Sequence, residues 1–191
     1  MNLDYQLILA SNSPRRKELL HSLELDFTVE VYPVNETFPA DLRSNEVAEY
    51  LAQKKADGFR KLKENELLIT SDTVVIHKEE ILGKPQGKDE AFEMISSLSG
   101  NTHTVMTGVT LRNLQKEISF SVATQVTFRT LRESEIHHYI EAYKPFDKAG
   151  AYGIQEWIGK MGIEKIEGDY YNVVGLPLHK LYTTLLREFN P

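Results

Sequence analysis

Segments with the pattern of a β-strand alternate with segments of helical pattern along most of this chain. A buried strand is predicted over Tyr5 to Ala10, and Ser13-Pro14 directly after it has the form of a helix cap followed by proline at the first helical position. Strands separated by helices imply parallel pairing, whereas strand patterns over Thr104 to Leu111 and Ile118 to Phe128 predict an antiparallel hairpin. The chain is therefore predicted to be α/β, with α+β as the alternative, and to form a mixed, partly parallel sheet with flanking helices.

The other elements are predicted from periodicity and end signals. Phe27 to Tyr32 alternates like a second strand, with Val29 and Val31 on one face, and Pro33 to Arg43 has the irregular pattern of a loop. Ser44 is predicted to cap a helix that runs to about Lys63. The further predicted elements are a strand over Leu67 to Ile76, helices over Asp89 to Leu98 and Glu133 to Tyr143, a strand pair around Gly168-Asp169, and a last helix from about Pro177 with Leu178, Leu181, Leu185 and Leu186 facing inward.

Length and composition bound the size of the core and the classes of partner. A chain of 191 residues, 41% of them hydrophobic, can bury one good core, so we expect a single domain over residues 1–191 or two closely joined lobes around a cleft. The formal net charge of -6 argues against nucleic acid or acidic lipid as a partner, because such binding normally needs a basic face. An anionic ligand would have to be held by local charge.

The sequence also argues against several compartments and chemistries. It contains no cysteine, which excludes disulfides and thiolate catalysis. The start of the chain has no basic region before its short apolar run, and no apolar run approaches the roughly 20 residues that span a bilayer. We therefore expect a cytoplasmic protein with no membrane segment. The chain also lacks the serine-hydrolase elbow, the zinc-protease helix motif, the Walker lysine loop and the dinucleotide glycine fingerprint.

The first candidate site is the segment Ser11-Asn12-Ser13-Pro14-Arg15-Arg16. It lies between the carboxyl end of a strand and the start of a helix, where free backbone N–H groups and the helix dipole favour an anion. Arg15 and Arg16 add planar donor groups that suit phosphate oxygens. The alternative is a capped surface helix with solvated arginines.

The second candidate site consists of two lysines. The helical stripe places Lys55 among apolar residues, whereas Lys54 points away from them. A lysine on an apolar face must meet an anion, or extend its ammonium along the surface into water. Lys84 follows Gly83 on a turn that Pro85 stiffens, and by itself it has the pattern of an ordinary surface turn.

The third candidate site is an aspartate within the most strand-like central segment, Ser71-Asp72-Thr73. A buried carboxylate without a partner is costly, so Asp72 should pair with a cation or bind a metal. The alternative is an aspartate at a strand end that caps a turn. Glu36, in the predicted loop, could supply a second carboxylate for a hard cation such as magnesium.

Seven segments in order along the chain form a larger pattern. They are LASNSPRRKELL from Leu9, the Gln-Lys-Lys-Ala around Lys55, SDTVV from Ser71, GKP from Gly83, VTFRTL from Val126, DKAGAYGIQ from Asp147 and GDYYNVVGLPL from Gly168. Taken together, these segments resemble the Maf family of nucleotide pyrophosphatases over nearly the whole chain. The resemblance implies a homodimer of α/β subunits, each with a cleft, that splits the α–β phosphoanhydride of a nucleoside triphosphate with a divalent cation.

Within that family the chain resembles the branch that acts on dTTP and UTP. That branch has Arg15, Thr73 and Gln155 at the corresponding positions, and these residues are implied to bind or orient the base. A sister branch that prefers 7-methyl-GTP has other residues there, so this substrate is the alternative. The chain departs from the family after Gln155, where Glu156-Trp157 stands in place of the usual glycine and can alter the base pocket.

The resemblance also implies roles for the phosphate and metal ligands. Asp72 would accept the proton of the attacking water and, with Glu36, bind Mg²⁺ or Mn²⁺; the resemblance does not separate these two roles of Asp72. Positive charge from Arg16, Lys55 and Lys84, together with donors around Ser11, would hold phosphate oxygens.

Two other functions compete with catalysis. The family name derives from effects on septum formation, so a nucleotide-binding regulator of cell division that does not hydrolyse its ligand is one of them. A phosphate-binding domain of unrelated chemistry is the other, and it accounts for the Ser11 to Arg16 segment alone. Release of pyrophosphate from dTTP with magnesium would distinguish the enzyme from both.

Overall fold

The computed structural model describes residues 3–190, and the chain divides into two compact units. Unit 1 contains the described residues up to Asp72, the segment Thr107–Val122 and the described residues from Gly175 onward. Unit 2 contains Thr73–Met106 and Ala123–Val174. The single domain over residues 1–191 stays a prediction.

The described residues include one sheet of seven strands in which the chain order is not the spatial order. The path runs β2-β1-β3-β5-β6-β7, and β4 pairs with β3 beside this path. β1 pairs in parallel with both β2 and β3, whereas the β3–β4 and β6–β7 pairs are antiparallel. The strands are β1 (Gln6–Leu9), β2 (Phe27–Val29), β3 (Glu66–His77), β4 (Glu80–Leu82), β5 (Thr102–Arg112), β6 (Glu117–Phe128) and β7 (Ile163–Glu167).

Seven α-helices connect or follow these strands in the described part of the chain. With them the sheet forms the mixed α/β architecture that the alternation of patterns predicts. The helices are α1 (Pro14–His21), α2 (Val47–Asp57), α3 (Lys88–Leu98), α4 (Glu133–Tyr143), α5 (Trp157–Gly162), α6 (Tyr170–Val174) and α7 (Leu178–Glu188).

The core of unit 1 forms between its strands and the apolar faces of α1, α2 and α7. Leu20 of α1 and Leu181 of α7 are fully buried against strand residues such as Leu9. The backbone of α2 approaches β5 very closely at Gly108, where a Cβ would lie 2.3 Å from the carbonyl carbon of Ala48. Only glycine fits that contact, and it fixes the depth of α2 in the unit.

The core of unit 2 forms around α3, α4 and α5. Ile95 of α3, Ile136 of α4 and Ile158 of α5 are buried together with Phe128 at the end of β6. Tyr139 of α4 is fully buried in the same cluster. The helical patterns predicted for α3 and α4 therefore mark the faces that pack inward.

Two predicted elements in unit 1 are longer than the observed ones. β2 ends at Val29, and Val29 and Val31 are 42% and 39% exposed, so their alternation does not mark a buried face. Ser44 starts a 3₁₀ turn, Ser44–Glu46, instead of capping α2, and α2 ends at Asp57, six residues before the predicted end. Beyond it Arg60 turns to the carboxylates of Glu30 and Glu66, which holds the chain out of a helical path.

Two further predictions near the end of the chain are wrong. The segment after Gly168 is the short helix α6 and not the second strand of a pair, because Asp169 Oδ1 accepts from Tyr171 N and starts a helical turn. Leu186, predicted to face inward on α7, is 36% exposed, whereas Leu178, Leu181 and Leu185 are buried as expected. The apolar face of α7 is thus narrower than its leucines indicate.

Candidate functional site

The start of α1 has the local structure that its sequence predicts. Ser13 is the N-cap and its side chain accepts from the backbone N–H of Arg16, at 3.4 Å, while Pro14 is the first helical residue. Ser11 Oγ accepts from the backbone N–H of Ser13 at 3.2 Å. Arg15 and Arg16 are both half-buried in the first turn of this helix.

Arg16 is held in a fixed direction at this helix start. Its Nε donates to the carbonyl oxygen of Gly175 at 2.9 Å, and its Nη1 lies 3.5 Å from Ser11 Oγ. The Ser71 hydroxyl also lies 3.5 Å from the Gly175 carbonyl, which therefore links α1 to the strand residue before Asp72. Burial lowers the pKa of Arg16, and the negative charge of Asp72 opposes that shift. The guanidinium thus lies in a setting that favours a nearby anion.

The position of Lys55 follows from two contacts between α2 and the sheet. Gly108 lets α2 lie against β5, and Thr70 Oγ1 of β3 donates to the carbonyl oxygen of Ala52 at 2.6 Å. Thr70 and Asp72 are two residues apart, so their side chains leave the same face of the strand. Lys55 is three residues beyond Ala52, slightly less than one full helical turn, and lies on the adjoining part of the helix face. The helix and the strand thereby bring Lys55 and Asp72 to one place.

Lys55 lies between two carboxylates. Its Nζ donates to Asp72 Oδ1 in a short hydrogen bond and is 2.9 Å from Glu36 Oε1. The side chains of Lys55 and Asp72 are 17% and 12% exposed, whereas that of Glu36 is 49% exposed. Lys54 points elsewhere, since its Nζ donates to the carbonyl oxygen of Thr37 at 2.6 Å. The predicted orientation of the two lysines is confirmed.

These residues form the ion cluster of unit 1, defined here as Glu36, Lys55 and Asp72. Its two acidic members place carboxylate oxygens against one cation, the Lys55 ammonium. Oxygen atoms of this kind are the ligands that magnesium prefers in proteins. No group of three or more histidine, cysteine, aspartate or glutamate side chains in residues 3–190 has the geometry of a metal site. A divalent ion at the cluster would therefore need further ligands from water or from a substrate.

Two of the predicted site residues in unit 2 lie within or just after a strand. Thr73 directly follows Asp72 in β3 and is half-buried. Lys84 is exposed on the turn after β4, and the neighbouring Gly83 carbonyl accepts from the backbone N–H of Gly150 at 3.0 Å. Pro85 is buried beside Lys84. The turn is thus anchored while the lysine side chain reaches solvent.

Gln155 lies on a tight turn of unit 2. The backbone N–H of Glu156 donates to the carbonyl oxygen of Gly153 at 3.0 Å, so Ile154 and Gln155 occupy the two central positions. Ile154 is buried and holds the turn against the core. The amide oxygen of Gln155 is buried and has no hydrogen-bond partner within residues 3–190. A buried acceptor of this kind is costly unless a ligand supplies the donor.

The unusual Glu156-Trp157 pair is engaged within unit 2. Glu156 Oε2 accepts from the phenol of Tyr139, and Glu156 Oε1 lies 3.1 Å from Lys148 Nζ. Trp157 packs edge to face on His138, with ring centroids 5.1 Å apart. Sequence reasoning identified Glu156 as a departure but did not connect it with Tyr139 or Lys148, because a buried tyrosine on a helix face has the same pattern as any core residue.

A family model and several curated relatives assign this chain to the same family. The family model described as Maf-like protein matches residues 6–189. A dTTP/UTP pyrophosphatase from Bacteroides thetaiotaomicron is 51% identical, over 96% of this chain and 97% of the relative. A protein of the same name from Christiangramia forsetii is 49% identical, over 98% of this chain and 96% of the relative. A third, from Flavobacterium johnsoniae, is 48% identical over 95% and 94%.

A more distant likeness exists among solved structures. A HAM1 protein from Coxiella burnetii aligns with a TM-score of 0.42 and 14% identity, covering 65% of this chain and 73% of that chain.

In residues 3–190 no helix combines the length and the apolar character needed to cross a bilayer.

Proposed function

Since the chain belongs to the Maf-like protein family, we propose that it hydrolyses nucleoside triphosphates, dTTP and UTP foremost, to the monophosphate and pyrophosphate. The observation that carries this proposal is that the Lys55 ammonium contacts the carboxylates of both Asp72 and Glu36. In the proposal these three groups serve as phosphate-binding cation, proton acceptor and metal ligand. The relatives named dTTP/UTP pyrophosphatase, at about half identity over nearly the full chain, support the same reaction.

Asp72 is the proton acceptor in this proposal. A water attacks the α-phosphorus, a new P–O bond forms, and the bond from the α-phosphorus to the α–β bridging oxygen breaks so that pyrophosphate leaves. The proton of the water passes to the Asp72 carboxylate, whose position on β3 is fixed by the strand and by Lys55. Such a reaction needs positioning and charge neutralisation more than covalent chemistry.

The cations bind the phosphate oxygens. Arg16 offers a planar guanidinium at the start of α1, where the dipole and the backbone N–H groups also favour negative charge. Lys55 supplies an ammonium within the ion cluster, and the Ser11 hydroxyl adds a donor beside Arg16. Lys84 is proposed as a further phosphate ligand from the family resemblance of its Gly-Lys-Pro turn. Each of these charges would stabilise the growing charge of the leaving pyrophosphate.

Glu36 and Asp72 are the residues proposed to hold a divalent cation, Mg²⁺ or Mn²⁺. Both carboxylates already contact one cation, the Lys55 ammonium, so their oxygens converge. Two carboxylates with substrate phosphates and water form the usual donor set of magnesium in nucleotide enzymes. When bound, the ion would neutralise phosphate charge as a Lewis acid.

Three residues are proposed to read or orient the base. Gln155 is supported by its buried amide oxygen, which lacks a partner within the described residues and suits a donor such as the N3–H of thymine or uracil. Arg15 and Thr73 are proposed from the family resemblance of their segments. The preference for dTTP and UTP over 7-methyl-GTP rests on these three positions.

One assay tests the proposed function. The purified protein is incubated with Mg²⁺ and, separately, with dTTP, UTP, CTP, GTP and 7-methyl-GTP, and released pyrophosphate is measured. We expect dTTP and UTP to give the highest kcat/KM. A lead for GTP or 7-methyl-GTP would overturn the base preference, and nucleotide binding without any pyrophosphate would favour the regulator of septum formation.

The assembly and compartment are proposed from the same resemblance. The subunit is expected to form a homodimer in the cytoplasm, without a nucleic-acid partner, in keeping with its net charge of -6. Light scattering of the purified protein checks the dimer, since a mass near the 21.9 kDa of one chain would contradict it.

A further inference from the structure

A single buried phenol closes the turn that carries Gln155. Tyr139 Oη accepts from the backbone N–H of Gly153 at 3.0 Å and donates to the carboxylate of Glu156. Gly153 and Glu156 are the first and last residues of the turn, and they are also joined by their own backbone hydrogen bond. Tyr139 is fully buried in the core of unit 2. Both ends of the turn are thus tied to one rigid point on α4.

Two glycines, Gly153 and Gly159, allow the close contacts around this turn. A Cβ on Gly153 would lie 2.8 Å from Glu156 Cδ, so the carboxylate folds directly over the glycine. A Cβ on Gly159 would lie 1.9 Å from the Ile154 carbonyl oxygen, so α5 packs on the turn with no space between them. The turn is therefore confined by α4 on one part of its backbone and by α5 on another.

Lys148 completes the set. It is a buried lysine whose Nζ lies 3.1 Å from Glu156 Oε1 and 2.7 Å from Asp147 Oδ1. The two oxygens of Glu156 are thereby divided between the Lys148 ammonium and the Tyr139 hydroxyl. Burial and the Glu156 carboxylate raise the pKa of Tyr139, so the phenol stays a donor to Glu156 at all ordinary pH values.

We propose that Tyr139, Glu156 and Lys148 are positioning residues that fix the turn at Gln155 and so set the preference for pyrimidine nucleotides. This inference rests on the proposed function, in which Gln155 reads the base. In this inference Glu156, which stands in place of the usual glycine, does not contact the base. It supports the turn through its bonds to Tyr139 and Lys148.

The turn can affect selectivity because the Gln155 amide oxygen must stay in a fixed position to distinguish bases. A site discriminates between bases strongly only when the wrong base leaves a fixed, buried polar group unpaired. If the turn can shift, the Gln155 amide turns to water and the wrong base is tolerated. The step of hydrolysis itself depends on the ion cluster, so a loose turn should raise KM for dTTP and leave kcat nearly unchanged.

The test compares two buried tyrosines of unit 2. Tyr139→Phe removes the hydroxyl that closes the turn, whereas Tyr152→Phe removes a buried hydroxyl that contacts His103 Nε2 at 2.7 Å and does not touch the turn. We expect Tyr139→Phe to lower the ratio of kcat/KM for dTTP over GTP about tenfold, through KM, and Tyr152→Phe to leave it within about twofold. Melting temperatures of both variants control for a general loss of stability.

Two further measurements separate positioning from simple folding. Glu156→Gln keeps an oxygen that accepts from Tyr139 but loses the ion pair with Lys148, so it should lose only part of the selectivity, whereas Glu156→Ala should lose it to the same extent as Tyr139→Phe. Hydrogen exchange at the Gly153 amide should become faster in Tyr139→Phe and stay unchanged in Tyr152→Phe.

The failure of this inference differs from that of the proposed function. If the wild-type protein releases no pyrophosphate from any nucleotide, the proposed function fails and the inference fails with it. If the wild type is active and prefers dTTP, but Tyr139→Phe keeps the selectivity of Tyr152→Phe, only the inference is overturned. Selectivity lost equally in both variants, in proportion to their melting temperatures, would also overturn it.

Discussion

Each unit contains a lysine that is paired with two carboxylates, and the two sets are built differently. In unit 1, Lys55 meets Glu36 and Asp72. In unit 2, Lys148 meets Asp147 and Glu156. The formal charges are the same, one positive and two negative in each set. The two sets differ in the parts of the chain that supply the charged side chains.

The ion cluster of unit 1 joins parts of the chain that are far apart in sequence. A loop supplies Glu36, a helix supplies Lys55 and a strand supplies Asp72. Side chains make the contacts, and half of the Glu36 side chain is exposed. Ion pairs between side chains of this kind can rearrange, as the proposed binding of a triphosphate and a cation would require.

The set in unit 2 is tied to the backbone of one local segment. Glu156 belongs to the turn that it helps to close, and the neutral Tyr139 bonds both this carboxylate and the Gly153 amide. A set of this kind resists rearrangement. In the proposed function, similar charges therefore serve different purposes: the ion pairs of unit 1 would rearrange during the reaction, and the fixed set of unit 2 would maintain selectivity.

The largest effect is expected at Asp72. Asp72→Asn keeps the shape of the side chain but cannot accept the proton of the water, so kcat for dTTP should fall at least about a hundredfold while nucleotide binding persists. Steady-state kinetics and titration with a non-hydrolysable analogue measure the two quantities. Asp57→Asn, which changes a surface carboxylate at the end of α2, is the matched control. Activity of folded Asp72→Asn at the wild-type level would remove Asp72 from the mechanism.

Lys55 should come next in size. Lys55→Ala takes the cation from the ion cluster and should reduce kcat/KM on the order of a hundredfold if Lys55 stabilises charge in the transition state. The adjacent Lys54→Ala removes a lysine that bonds the Thr37 carbonyl and should cost far less. Equal losses in the two variants would show that the cluster does not act on phosphate.

A smaller effect is expected at Gln155, in the second region. Gln155→Ala removes the buried amide oxygen and should reduce the preference for dTTP over GTP about tenfold, with a smaller loss in kcat. Relative kcat/KM values in a mixture of both nucleotides measure this directly. An unchanged preference combined with slower turnover of all nucleotides would move Gln155 from selectivity to the reaction.

The smallest effect on activity is expected from an ion pair that only supports the fold. Hydrogen bonds from Arg60 lower the pKa of Glu66 from 4.5 to about 2, so this pair stabilises the protein above pH 4.5 and loses that contribution as the pH falls toward 2. Glu66→Gln should lower the melting temperature at pH 7, with a difference from wild type that shrinks in acid, while kcat stays unchanged. If the melting temperatures of Glu66→Gln and the wild type differ by the same amount at every pH, the stabilisation does not come from the charge of Glu66.

The elements with strong periodicity were predictable, and their ends were often not. α4 has the predicted bounds because its apolar face and its flanking residues agree, whereas α2 stops early because Arg60 finds carboxylates outside the helix. Val29 and Val31 alternate as in a strand yet lie exposed, since alternation does not report whether anything packs on a face. Side-chain contacts over long distances decide such ends, and a local pattern does not contain them.

The two ion-paired sets also differ in how far the sequence predicts their residues. Lys55 and Asp72 could be found because each breaks a pattern, as a lysine in an apolar stripe and an aspartate within a strand. Tyr139 agrees with the apolar pattern of its helix and gives no such signal. Glu156 stands out in the sequence as a departure from the family, but its contacts with Tyr139 and Lys148 are visible only in the structure.

In the proposed reaction, water attacks the α-phosphorus at the ion cluster. Hydrolysis of dTTP in ¹⁸O-labelled water with Mg²⁺, followed by mass analysis of the products, tests this attack in one reaction. We expect dTMP and pyrophosphate to form in equal amounts and the label to be found in dTMP alone. Label in the pyrophosphate, or release of inorganic phosphate as the first product, would contradict it.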